Sequence, residues 1–122
     1  MATVAADPQG NLRKLTDEYT KLQQEQQKLI VSQQRLTAQK TENEGVKKEF
    51  ERLKDGESIY KLVGPVLLKQ EKFEADSTVK GRLDFIDKEI ARLENEINES
   101  NTKMDDIKEQ IMATQTSAQP AQ

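Results

Sequence analysis

Apolar residues recur along most of this chain at alternating steps of three and four. In the first half the seam runs Leu12, Leu15, Tyr19, Leu22, then Leu29 and Leu36 interleaved with Gln26, Gln33 and Lys40, and on to Val46, Phe50 and Leu53. In the second half it is cleaner: Val79, Leu83, Ile86, Ile90, Leu93, Ile97, Ser100, Met104, Ile107 and Ile111, with Ser100 the one interruption. A period of 3.5 residues sustained over heptads predicts amphipathic helices that pair as a coiled coil. Near Asn43-Glu44-Gly45 the first seam slips, because the strict repeat arrives at Lys47 while the apolar side chain is Val46. A local change of supercoil is expected there.

Between the helices the period changes. Ile59-Tyr60-Lys61-Leu62-Val63-Gly64-Pro65-Val66-Leu67-Leu68 has seven apolar residues in ten and a Gly-Pro break at its centre. That pattern predicts two strands, about Ser58 to Val63 and Val66 to Gln70, joined by a tight turn. Asp7-Pro8 supplies an N-cap with proline at the first helical position, and Asp55-Gly56 a helix stop. Asp76 or Ser77 is the expected cap of the second helix. The expected layout is a flexible tail over 1–7, a helix over 8–55, a hairpin module over 56–75, a helix over 76–113 and a disordered tail over 114–122.

An isolated two-stranded ribbon is marginal in water and has two unpaired edges. No other segment of the chain reads as a strand, so the missing partners must come from other chains. Each seam Leu or Ile contributes roughly 1.5 to 3 kcal/mol when buried, so the second helix alone would forgo on the order of 15 kcal/mol. The first helix is its nearest partner. A reversing hairpin makes the pairing antiparallel, with both termini at one end and the hairpin at the other, and a first helix roughly 70 Å long. The fold class is therefore mainly α: a long antiparallel two-helix coiled coil with one β-hairpin at the connecting end. Gln26, Gln33 and Lys40 read as register devices within the seam.

Composition narrows the function. Of 122 residues 34% are hydrophobic and 34% charged, which suits a line of contacts better than a globular core. The 19 basic and 22 acidic residues are interspersed, so no basic stripe points to nucleic acid. No apolar stretch is long enough for a membrane span, and no signal-peptide core stands at the start. The chain has no histidine and no cysteine, which removes the commonest general base, metal ligand and thiolate nucleophile. Gly64-Pro65 and Gly81 lack the neighbours of a phosphate-binding loop, and a helix pair encloses no pocket. We therefore expect no enzyme activity, no metal and no cofactor.

The Tyr60-Lys61-Leu62-Val63-Gly64-Pro65-Val66-Leu67 core, with Val79-Lys80-Gly81-Arg82-Leu83-Asp84-Phe85-Ile86 after it, resembles the β-type subunits of prefoldin, and most of all their eukaryotic members. The likeness in architecture runs from about Asp7 to Met112. It implies a cytoplasmic hexamer of two α-type and four β-type subunits, so that two α-type and three further β-type subunits are partners. In such an assembly the hairpins join an intersubunit β-barrel, a role that would fall here to Ile59, Tyr60, Leu62, Val63, Gly64, Pro65, Val66, Leu67 and Leu68. The implied activity is ATP-independent capture of unfolded proteins, actin and tubulin among them, and delivery to the cytosolic group II chaperonin.

A holdase of this kind needs apolar surface at the open end of its coiled coil. Leu12, Leu15, Tyr19 and Leu22 on the first helix and Met104, Ile107, Ile111 and Met112 on the second are the expected client-binding residues. Plain seam packing is the competing role for each of them. The rival class is a structural coiled-coil subunit of a scaffold or tethering complex, against which the hairpin argues.

Overall fold

The computed structural model describes residues 7–54 and 56–118. Four elements follow one another: helix α1 (Pro8–Arg52), strands β1 (Ile59–Val63) and β2 (Val66–Gln70), and helix α2 (Lys72–Ala118). Met1 to Ala6, Asp55 and the last four positions of the expected tail lie outside the described residues.

Helix α1 starts as its sequence predicts. The Gly10 N–H donates to the Asp7 carboxylate at 2.9 Å, and the Asn11 N–H donates to the Asp7 carbonyl at 3.1 Å. Asp7 is thus an N-cap, and Pro8 occupies the position where a missing N–H is harmless. The other end differs from expectation. α1 stops at Arg52, and Gly56 with φ of 91° closes a turn in which the Glu57 N–H donates to the Lys54 carbonyl. Glycine serves there as the third residue of a turn rather than as the helix cap.

Helix α2 is longer than expected at both ends. It begins at Lys72, with the Ala75 N–H bonded to the Glu71 carbonyl, so Asp76 and Ser77 stand inside the helix and do not cap it. Nothing between Gln70 and Asp76 breaks a helix, and burial of Ala75 rewards starting early. At the far end the helix continues through Thr114 to Ala118, where a disordered tail was expected. Thr114 is half-buried at the next seam step after Ile107 and Ile111, which explains the extension.

The contacts divide the chain into two compact units. In the first, residues up to Ser32 pack with those from Leu93 onward. Leu22 and Leu29 line a groove with Glu96, Ser100 and Lys103, and the Gln26 side-chain amide donates to the Asn101 amide oxygen. Leu93, Ser100 and Met104 are buried, and the Ser100 hydroxyl points at the Met104 sulfur at 3.8 Å. The polar interruption noticed in the sequence is therefore accommodated inside the seam.

The second unit spans Gln33–Arg92. Its buried residues are Ala75, Val79 and Ile86, all on α2. Lys40 opposes Asp87, while Val46 and Phe50 lie beside the Ala75 to Arg82 stretch, so the helices run antiparallel. The expected slip of the α1 seam does not occur: Asn43, Lys47, Phe50 and Leu53 are the half-buried positions, and Val46 is 41% exposed. Backbone register wins over side-chain type here because the lysine stem covers apolar surface while its ammonium stays in water. Gly45 and Gly81 stand mid-helix, where each weakens the helix by about 1 kcal/mol relative to alanine.

Candidate functional site

The hairpin is built by its turn. Gly64 has φ of 59°, and Pro65 behind it has φ fixed by its ring. Positive then negative φ is the II′ turn, whose twist matches that of the two strands it joins. The register is Val63 opposite Val66, Leu62 opposite Leu67, Lys61 opposite Leu68, Tyr60 opposite Lys69 and Ile59 opposite Gln70. Directly opposed residues share a face. One face therefore carries Ile59, Lys61, Val63, Val66, Leu68 and Gln70; the other carries Tyr60, Leu62, Leu67 and Lys69.

Neither face is covered. Eight of the ten strand residues are exposed, only Ile59 and Gln70 being half-buried, and Leu62 reaches 68% exposure. The sheet contains these two strands alone among the described residues, so both outer edges present unpaired backbone groups. Covering Tyr60, Leu62, Val63, Val66, Leu67 and Leu68 would contribute on the order of 5 to 10 kcal/mol. A surface so apolar, with open edges on both sides, fits strand addition by another polypeptide. The nine residues expected at an assembly surface are spread over both faces of the hairpin and its turn. Lys61 and Lys69 put one charge on each face.

The eight residues expected at a client site come together in the other unit, but packed. Leu12, Leu15, Tyr19 and Leu22 on α1 and Ile107 and Ile111 on α2 are half-buried, and Met104 is buried. Met112 alone among them is exposed, at 60%. Seven of the eight therefore sit on the seam, and they reach solvent fully only if the helix ends part.

Two exposed aromatic side chains were absent from the sequence-based site. Phe73 opens the first turn of α2, and Phe85 stands off the seam at 63% exposure. The signal for Phe85 was in the heptads, since it falls between the seam positions Leu83 and Ile86 and has no place in either row. Among the described residues no group of acidic side chains could hold a metal ion, and no helix is long and apolar enough to cross a membrane.

The family model described as "Prefoldin subunit" matches residues 13–118. Prefoldin subunit 6 of Arabidopsis thaliana is 32% identical over 121 residues, covering 99% of this chain and 94% of that protein. Prefoldin subunit 6 of Homo sapiens is 38% identical over 114 residues, covering 93% of this chain and 88% of its own. The crystal structure of the prefoldin beta subunit from Thermococcus strain KS-1 superposes with a TM-score of 0.81 at 23% identity, covering 91% of this chain and 95% of that one, and so supports the fold.

Proposed function

The chain belongs to the prefoldin family, and we propose that it is the subunit-6-type β subunit of a cytoplasmic heterohexamer, assembled with two α-type and three further β-type subunits. Family membership makes it a component of the prefoldin co-chaperone, which assembles from prefoldin subunits. The observation that carries the rest is the hairpin: eight exposed strand residues and two open edges have no partner among the described residues. Sister hairpins supply strands of the same kind and close the edges into a barrel.

In this reading the complex captures unfolded proteins, actin and tubulin among them, without nucleotide, and passes them to the cytosolic group II chaperonin. Met112 is the standing contact, a soft side chain that adapts to many surfaces. Leu12, Leu15, Tyr19, Leu22, Met104, Ile107 and Ile111 add apolar area as the helix ends fray. Several subunits holding one client raise the effective concentration of each weak contact, so release needs no hydrolysis.

Native mass spectrometry of the complex purified from cells tests the assembly: six chains with related helix–hairpin–helix subunits are expected, and a lone homodimer would overturn it. Light scattering of denatured actin diluted into the hexamer without ATP tests the activity. Aggregation as fast as in its absence would refute the holdase role.

A further inference from the structure

In the unit spanning Gln33–Arg92, α2 carries a notch and an aromatic ring that the folding of this chain does not use. Gly81 lies mid-helix, and nothing stands within 4 Å of where its Cβ would be. The glycine weakens α2, yet no neighbour among the described residues requires the space. One turn further on, Phe85 is largely exposed. Four residues of helix place it about 40° from Gly81, on the same side.

This flank is continuous with the hairpin. Thr78, one heptad before Phe85, and Arg82 line a groove of about 260 Å³ together with Val46 of α1 and Ile59 and Tyr60 of β1. The groove therefore runs from the strands onto the side of α2 as far as Thr78 and Arg82, and Phe85, three residues beyond Arg82, is the next large side chain on that flank. An apolar centre edged by charge is the anatomy of a protein interface. A large aromatic held on a rigid helix is the usual anchor of one.

We propose that the Gly81 notch and the Phe85 ring form a lateral docking site for an apolar side chain of a neighbouring prefoldin subunit, extending the hairpin interface onto the helix pair. The missing Cβ lets the neighbour approach the α2 backbone, and Phe85 packs against the side chain that enters. This inference rests on the proposed assembly through the hairpin. Its occupant is a sister subunit because the site is an extension of the surface where sister hairpins join.

The test is a competition for places in the hexamer. Isotopically labelled wild-type chain and unlabelled variant are mixed in equal amounts with limiting sister subunits, and native mass spectrometry reads the ratio incorporated. Gly81→Gln fills the notch with a better helix former, and Phe85→Gln removes an exposed ring, so both free chains should keep wild-type helicity. We expect each to be under-represented about tenfold, as for loss of one interface anchor. Equal incorporation of both overturns the lateral site, and wild-type assembly with lost client protection would assign the flank to clients instead. Leu67→Asp is the control for the parent reading. If it alone is excluded, only the lateral site fails; if it too incorporates equally, assembly through the hairpin fails.

Discussion

Lys40 of α1 reaches Asp87 of α2 across the helix pair, its Nζ 2.8 Å from the carboxylate Oδ1. Lys40 occupies a seam position where a tight coiled coil would place an apolar residue, and Gln26, two heptads earlier, meets Asn101, two heptads after Asp87. Polar seam residues that find polar partners favour one register, because a slip of one heptad would set Lys40 against Lys80 or Glu94 and Gln26 against Glu94 or Lys108 in place of these partners.

The Asp87 pair gives a pH prediction. Hydrogen bonding to Asp87, and then its charge, hold the Lys40 ammonium above the ordinary lysine range, with Glu44 adding slightly. A raised lysine stabilises the fold fully below its unfolded value near about pH 10.4, and that contribution disappears as pH rises through the raised value. In a titration of lysine side-chain carbons by NMR, Lys40 should titrate above the ordinary lysine range. Asp87→Asn should bring it back, and added salt should shrink the difference because both side chains are partly exposed. An unchanged Lys40 curve in Asp87→Asn contradicts the pairing.

Core energetics should be concentrated in α2. Leu93 is 4% exposed, and Leu93→Ala should lower unfolding free energy by about 2 to 5 kcal/mol. Val31→Ala, at an exposed position of α1, should stay within about 0.5 kcal/mol. Urea unfolding followed by helicity measures both. Equal losses at the two sites would contradict the burial pattern.

Charged residues at Leu62 and Val66, one on each hairpin face, should release the subunit from the hexamer while leaving its helicity unchanged. A charge buried between strands costs several kcal/mol, enough to offset the apolar gain of joining. Light scattering that still reports the native mass would refute the role given to these strands.

At the other unit, Met112→Ser should weaken client protection with no loss of thermal stability, since the side chain is exposed. Replacing Leu12, Leu15, Ile107 and Ile111 together with Ser should weaken protection more, leave the hexamer intact and lower the melting temperature, because these four also pack the seam. Suppression of aggregation at wild-type level in both variants would remove the client site from this position.

Much of the fold was legible because its elements rest on local chemistry. The Asp7-Pro8 start and the Gly64-Pro65 turn need only backbone preferences, and both stand where the residues predict. The α2 seam was equally plain, since strict heptads of Leu, Ile and Val admit one buried face. The first helix was harder. Val46 is the apolar residue and Lys47 the charged one, yet Lys47 takes the half-buried place, because the register is set by the whole helix pair and one side chain cannot shift it. The start of α2 departs from its local signals for a related reason: Asp76 and Ser77 are good caps locally, but Ala75 gains more by being buried within a helix already begun.

The candidate site divides in the same way. Sequence alone identified the hairpin as an apolar module without enough strands, because period and turn chemistry are written residue by residue. It also named the end seam residues, but it could not say that seven of the eight are packed and Met112 alone stands free. Nor could it show that Phe85 stands exposed and that open space lies over Gly81. Exposure is a property of what surrounds a side chain, and those surroundings come from residues tens of positions away that only the folded chain brings near. The local code thus determined which elements form, and tertiary packing decided which of their apolar residues remain available to another molecule.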